Sequence, residues 1–264
     1  MSEADPDGTI RTELRGRVFL IGIARPAKLN GFSLKMLREL AEAYTAFEKN
    51  DAAWVALLYS EGAHFTAGLQ LDQVGPAMQR GEELWPAGSI DPFSLREPKR
   101  SKPVVAAVQG ITYTIGIELM LAADVVIAAH DCRFSQLEVK RGIMATGGAT
   151  LRMAERAGWG NAQRILLTGD EFDAATALRF NFIQEIVPAG TQFARALEIA
   201  ERIAAQAPLA VRATLASTRK FYEQGQDAAV AEFRAVQQGL SASGDAREGV
   251  ASFVEKRAGR FTGQ

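Results

Sequence analysis

Val104-Val105-Ala106-Ala107-Val108, followed by Gln109-Gly110-Ile111-Thr112-Tyr113-Thr114-Ile115-Gly116-Ile117-Glu118-Leu119-Met120-Leu121, is the stretch on which the architecture turns. Its first five residues are a short apolar run, the pattern of a buried strand. Small and polar residues then lead into a strongly apolar helix. A second strand-like run, Val125 to Ala129, comes next, and strand, helix, strand in that order implies a parallel crossover. The same order recurs upstream. Val18 to Ile23, ended by Arg25-Pro26, and Val55 to Tyr59 read as buried strands. Between them Ser33 is a plausible N-cap for a helix in which Met36, Leu37, Leu40, Ala41, Tyr44 and Phe47 recur at three- and four-residue spacing before Asn50. Strands and helices alternate to about residue 190, which sets the class as α/β.

The pattern fades from Met78 to Ser101, where Gly81, Pro86, Gly88, Pro92 and Pro98 mark a loop longer than a compact domain usually carries, of the kind that forms lids or substrate channels. After Pro188, Ala194 to Ala205, Pro208 to Gln224, Ala228 to Leu240 and Glu248 to Arg257 all carry helical periodicity with no strand between them. The expected division is an α/β core over residues 1–193 and a helical subdomain over 194–264.

Composition removes whole classes of function. With 264 residues and 47% hydrophobic content there is enough apolar material for a substantial core. A formal net charge of -1 offers no overall positive field for nucleic acid. The opening MSEADPDGTIRTEL lacks the basic-then-apolar order of a signal peptide, and no run of about 18 apolar residues occurs, so no membrane span and a cytoplasmic location are expected. Cys132 is the only cysteine, which excludes an internal disulfide and a thiolate metal cluster. His64 and His130 are the only histidines, too few for a three-histidine zinc site. No group near His130 and Cys132 supplies the orienting third member of a triad, so Cys132 reads as structural.

Three segments place polar or small residues where core would be expected. In the first, His64-Phe65-Thr66-Ala67-Gly68-Leu69-Gln70-Leu71, a small-residue turn follows a parallel strand, where open α/β folds bind ligands; taken alone, the segment reads sooner as a tight strand-to-helix turn. In the second, Glu118 is surrounded by Ile115, Ile117, Leu119, Met120 and Leu121. A carboxylate there is poorly solvated and its pKa rises toward neutrality, as acid-base work requires. Its position three residues after Ile115 brings it near the helix's first amides, whose unpaired N–H groups favour negative charge. A solvent-facing glutamate, or one ion-paired to an arginine, is the alternative. The third segment, Phe134 to Gly142 running on to Gly147-Gly148, holds Glu138 among charged neighbours, which by itself reads as solvated surface.

In order and spacing these blocks resemble the enoyl-CoA hydratase/isomerase superfamily, the crotonases. The resemblance starts at Arg25-Pro26-Ala27-Lys28-Leu29-Asn30, continues through Phe65-Thr66-Ala67-Gly68, Gly116-Ile117-Glu118-Leu119, Phe134 to Glu138 and Leu167-Thr168-Gly169-Asp170, and ends at Phe253-Val254-Glu255-Lys256-Arg257. It implies a crotonase-like spiral of ββα units with a helical C-terminal oligomerisation subdomain, assembled as a homotrimer or dimer of trimers. By position it implies that the backbone N–H groups of Leu69 and Ile115 form an oxyanion hole and that Glu118 and Glu138 are the catalytic carboxylates. Glu118 would handle the water at the β-carbon and Glu138 the α-carbon proton. Ala27, Lys28, Leu29, Ala67, Gly68, Gln70, Leu71, Tyr113 and Gly116 would line the acyl-CoA site, with a neighbouring subunit's segment around Phe253 and Lys256 closing over the nucleotide. No metal is implied, and no cofactor besides the CoA of the substrate. The implied reaction is hydration of a 2-enoyl-CoA; double-bond isomerisation and non-catalytic acyl-CoA binding are the other readings. The chain departs from the family pattern at Thr114-Ile115, where glycines are usual, at Met144-Ala145-Thr146 in place of Ile-Pro-Gly, and at Gln70 in place of Asp. Bulkier residues at a helix start restrict how closely the thioester approaches and narrow the acyl pocket.

Overall fold

The computed structural model describes residues 5–264. The strands and helices in chain order are β1 (Thr9–Arg15), β2 (Val18–Ala24), α1 (Leu34–Lys49), β3 (Val55–Ser60), α2 (Leu71–Gln79), β4 (Val104–Val108), β5 (Ile111–Tyr113), α3 (Ile115–Ala122), β6 (Val125–Ala129), β7 (Arg133–Ser135), α4 (Ala149–Ala157), α5 (Trp159–Thr168), β8 (Phe172–Asp173), α6 (Ala174–Arg179), β9 (Glu185–Val187), α7 (Gln192–Ala204), α8 (Pro208–Gln224), α9 (Gln226–Ser241) and α10 (Gly244–Val254). The large sheet runs β1-β2-β3-β4-β6-β9. Only the β1–β2 pair is antiparallel; β2, β3, β4, β6 and β9 are parallel.

Every residue of β2 and of β4 is buried, as expected of strands covered on both faces. Phe19, Ile21 and Ile23 point to one face, where Met36, Leu37, Leu40 and Phe47 of α1 join the larger core. Val18 and Leu20 point to the other, with Val55, Leu57, Val105, Ala107 and Ile127, under Ala196 and Ala200 of α7. Helix α7 therefore covers the sheet, and the 193/194 junction falls inside it. Ser33 caps α1 as its position suggests, its hydroxyl accepting from Met36 N–H at 3.2 Å.

The small sheet, β5-β7-β8, stacks a second layer of strands. After β4 the chain turns at Gln109-Gly110 and enters β5; after β6 it turns and enters β7, which lies parallel to β5. Thr66 extends this ladder one step, bridging Thr112 in the parallel sense. Each unit thus gives one strand to the large sheet, one to the small sheet, and then a helix, and successive units stack as a spiral. The helix starts after β3 and β5 consequently lie side by side on one rim. The last three helices bury little of their own surface: Phe221, Tyr222, Phe233, Val250, Phe253 and Val254 are exposed.

A buried arginine paired to a more exposed aspartate anchors the helix that the site uses. Arg100, 2% exposed, meets Asp124 in bidentate fashion at 2.7 and 3.1 Å and donates to the carbonyl of Ala122 at 2.7 Å. Asp124 also accepts the N–H of Val104 at 2.7 Å. Removing Arg100 takes the donor from the buried carbonyls of Ala122 and Lys102, while Asp124, whose side chain is 23% exposed, keeps its access to water. Arg100→Ala is expected to lower the free energy of unfolding by about 1–3 kcal/mol, read from denaturant titration; a loss under about 0.5 kcal/mol, the range of an ordinary surface substitution, would contradict this view of the anchor.

Candidate active site

Helix α3 is apolar all round, and all eight of its residues are buried. Glu118 is carried inward with them, 6% exposed. Its Oε1 accepts the N–H of Gly147 at 2.6 Å and, more weakly, that of Ala149 at 3.4 Å. A Cβ at position 147 would stand 2.6 Å from Glu118 Oε2 and 2.9 Å from Phe93 Cζ, so only glycine fits against the carboxylate. Burial pushes the Glu118 carboxyl up to about 7; the Ala149 and Gly147 amides and the charge of Arg152 oppose that rise, and the charge of Glu138 adds to it. Arg152 spends its guanidinium on the carbonyls of Phe93, at 2.6 Å, and Gly147, at 3.4 Å. Glu118 is therefore neither solvent-facing nor salt-bridged to an arginine.

Glu138 opens a 3-10 turn, Glu138–Arg141, in which Val139, Lys140 and Arg141 face solvent while Glu138 turns inward. Its Oε2 is enclosed and has no hydrogen-bond partner among the described residues. Burial raises its pKa above the ordinary carboxylate value. The surface reading of its charged neighbourhood thus fails for this one side chain. Because its charge reaches Glu118, the two acids share one poorly solvated region.

The Leu69 and Ile115 segments lie against each other. Tyr113 N–H donates to the carbonyl of Thr66 at 3.0 Å, and a Cβ at Gly68 would meet Thr114 Oγ1 at 2.6 Å. Gly68 has φ +114, a conformation that favours glycine. The Thr114 carbonyl takes the N–H groups of Ile117 and Glu118 at 2.9 and 3.1 Å. Neither Leu69 N–H nor Ile115 N–H has a hydrogen-bond partner among the described residues. Two free amides, one of them at the start of a buried helix, therefore sit on adjoining segments close to Glu118.

The remaining expected site residues divide. Ala27 and Lys28 are exposed in a 3-10 turn and Leu29 follows at φ 51; the Leu29 carbonyl accepts Ala67 N–H at 2.9 Å, which joins that turn to the Ala67-Gly68 segment. Leu71 is exposed at the start of α2. Gln70 is engaged elsewhere: its Oε1 accepts from the buried Arg25 at 2.6 Å. The Tyr113 hydroxyl donates to Glu171, which also pairs with Arg133. Gly116 serves packing, since a Cβ there would stand 2.7 Å from Thr66 Cγ2. Other nucleophiles and bases are occupied. His64 Nδ1 accepts Ile111 N–H at 3.1 Å and His130 Nδ1 accepts Ala189 N–H at 3.0 Å. Burial pushes the Cys132 thiol up to about 12.

Sequence reasoning missed Gly147 as the partner of Glu118, and Phe93, Asp91 and Arg152 as the wall behind it. The 78–101 stretch is held down rather than loose: Asp91 accepts the N–H groups of Phe93, Leu95 and Arg96 at 2.9–3.0 Å, and Trp85 packs edge-on against Phe93 with centroids 5.6 Å apart. An acidic residue that ties up the amides of its own loop was the available signal. A cleft of about 1250 Å³ lies between the C-terminal end of α3, α4 and α8, behind that wall.

This geometry meets a consistent set of relatives. The family model described as enoyl-CoA hydratase/isomerase matches residues 13–264. A crystal structure of a probable enoyl-CoA hydratase/isomerase from Mycobacterium abscessus is 45% identical, with a TM-score of 0.93 over 97% of this chain and 98% of that one. Enoyl-CoA hydratase EchA19 of Mycobacterium tuberculosis is 30% identical over 98% of this chain and 97% of its own length. A 1,2-epoxyphenylacetyl-CoA isomerase of Escherichia coli is also 30% identical, over 94% and 95%. The fold is that of the crotonases, and the site belongs to an enzyme that performs a crotonase-type acyl-CoA reaction. The chain is a member of the enoyl-CoA hydratase/isomerase family and an enzyme of the hydro-lyase type.

The raised carboxyl at Glu118 also bears on stability. A folded-state value of about 7 against 4.5 means the fold binds this proton more tightly than the unfolded chain does. That preference is fully present below pH about 4.5 and lost as pH rises through about 7, where the fold must hold a buried charge. Glu118→Gln removes the charge, so it is expected to stabilise the protein by up to about 3 kcal/mol at pH 8 and by little at pH 4.5. Thermal melts of both proteins across that range check the sign; a gap that does not widen with pH would refute it.

Proposed function

We propose that this enzyme adds water across the 2,3 double bond of a 2-enoyl-CoA. What carries the reading is a buried carboxyl near neutrality, Glu118, with a second enclosed acid, Glu138, in the same region, beside the free amides of Leu69 and Ile115. The thioester oxygen accepts from both amides and gathers negative charge as C3 is attacked. The N-terminal end of α3 favours that charge, and losing one such donor costs about 3 kcal/mol of transition-state stabilisation. Glu118, its Oε1 held by Gly147, takes a proton from water through Oε2 as the hydroxyl adds to C3. Glu138 delivers a proton to C2. One proton between two mutually repelling acids is the state this requires, and their burial and proximity favour it. A proton passing from Glu118 back to Glu138 resets the pair.

The Ala27–Leu29 turn, joined to Ala67, would hold the pantetheine and nucleotide, with the exposed ammonium of Lys28 available to phosphate. No cofactor enters the reaction beyond CoA itself. A homotrimer, or a pair of trimers, would cover the apolar residues that α8, α9 and α10 expose, with Phe253, 84% exposed, prominent among them. The described residues include no helix long and apolar enough to cross a membrane; a cytoplasmic location belongs to this proposal.

Purified enzyme is expected to consume the enoyl-thioester absorbance of crotonyl-CoA or of longer and aromatic enoyl-CoAs. Glu118→Gln and Glu138→Gln should each lower kcat by about 10²–10⁴-fold. Conversion of a 3-enoyl-CoA to its 2-enoyl isomer at equal rates by the wild type and Glu118→Gln would instead favour a double-bond isomerase, which needs only one proton-shuttling acid; no turnover by the wild type on any of these thioesters would remove the proposal. Since the base form of Glu118 is lost as pH falls, kcat/KM should decline below pH about 7, and the residual activity of Glu118→Gln should lack that limb.

A further inference from the structure

Thr114 bears two unfavourable features in one residue. Its backbone sits at φ 49, ψ -115, a region that a β-branched residue rarely adopts. Its hydroxyl is enclosed and has no hydrogen-bond partner among the described residues. Glycine at this position would relieve both. Three observations show what the side chain does in return. It stands between the two free amides in the chain's geometry, directly before Ile115 and against Gly68, which directly precedes Leu69. Its nearest atom to that neighbour is the oxygen: a Cβ built at Gly68 would lie 2.6 Å from Oγ1, against 3.7 Å from Cβ and 3.8 Å from Cγ2. The hydroxyl oxygen therefore fills the space into which a side chain at position 68 would project. Lastly, no side chain larger than hydrogen is tolerated at 68 while Thr114 is present, so the two positions form a matched pair.

We infer that Thr114 is a positioning residue whose hydroxyl oxygen acts as a strut between Gly68 and the start of α3, fixing the separation of the Leu69 and Ile115 amides. The inference rests on the proposed use of those amides to bind the thioester oxygen. Electrostatic stabilisation of this kind depends on donors already held at the right spacing, and a gap set too narrow or too wide weakens both bonds together. A serine keeps the oxygen at the strut position. Alanine removes it and lets the segments close, and glycine additionally frees the backbone.

The test uses the full-length wild-type enzyme with Thr114→Ser, Thr114→Ala and Thr114→Gly, and reads two signals. The first is the red shift in absorbance of an aromatic enoyl-CoA on binding, read by rapid mixing before hydration consumes the chromophore, which reports polarisation of the thioester carbonyl. The second is kcat and KM for hydration. Thr114→Ser is expected to keep the shift and at least half of kcat. Thr114→Ala and Thr114→Gly should lose most of the shift and about tenfold in kcat, with KM changed less than threefold. Thr114→Gly should melt no lower than wild type, because it sheds backbone strain; that separates a positioning role from simple loss of fold. A wild-type red shift in both Thr114→Ala and Thr114→Gly would overturn the inference, as would equal loss in Thr114→Ser. If the wild type shows the shift but hydrates nothing, the proposed reaction fails while the strut is still judged by the shift alone. A wild type with no shift overturns both.

Discussion

A short helix with no solvent around it is the constraint on which the rest of the structure depends. All eight residues of α3 are buried, so its terminal backbone groups need partners inside the protein. At the C-terminal end they have them: Arg100 takes the Ala122 carbonyl and Arg156 the Leu121 carbonyl, each at 2.7 Å, and their positive charges complement that end of the helix dipole. At the N-terminal end Ile115 N–H is left without a partner among the described residues. The asymmetry gives the helix a satisfied end and an end with capacity to spare for a negative charge. Glu118, one turn along, lies in the same dry environment, and the dryness that lifts its carboxyl toward neutrality also strengthens any hydrogen bond made at the open end.

The spiral brings the second half of the arrangement to this helix. Because β3 and β4 are neighbours in the large sheet and Thr66 bridges Thr112 in the small one, the turn after β3 is delivered alongside the start of α3. The turn after β7 returns Glu138 to the same region, and the Gly147 turn before α4 supplies the amide that fixes Glu118. Three consecutive ββα units thus contribute one element each. The wall formed by Phe93, Gly147 and Arg152 closes the back of the site; Phe93 comes from a segment with no regular secondary structure whose amides are gathered by Asp91, and Arg152, on α4, donates to the Phe93 carbonyl.

Much of this was legible in the residues. Strands β2, β3, β4 and β6 were visible because burial turns them into unbroken apolar runs, and α1 because Ser33 and its three-four spacing are strong local signals; β9, three residues opening on Glu185, was not. Glu118 stood out by contradiction, one charge inside an apolar helix. Other features left no such mark. Strand β1, TIRTELR, is largely exposed and alternates too weakly to declare itself beside β2. The small-sheet strands are two or three residues long, too short for any period to register. Glu138 sits in a four-residue 3-10 turn with exposed neighbours on its C-terminal side, so its inward direction is set by tertiary contacts alone, and only the resemblance to a family singled it out. Gln70 and Tyr113, expected at the acyl-CoA site, have their polar atoms engaged by Arg25 and Glu171, partners 45 and 58 residues away that no local pattern names.

The account comes down to two amides and two acids around one thioester, and a structure of the enzyme with a slowly reacting or saturated acyl-CoA bound tests it most directly. The thioester oxygen should lie about 3 Å from both Leu69 N and Ile115 N, with Glu118 and Glu138 on hydrogen-bond or one-water terms with C3 and C2. An oxygen bound away from either amide, or an acyl chain whose C2–C3 bond is out of reach of one of the acids, would contradict it.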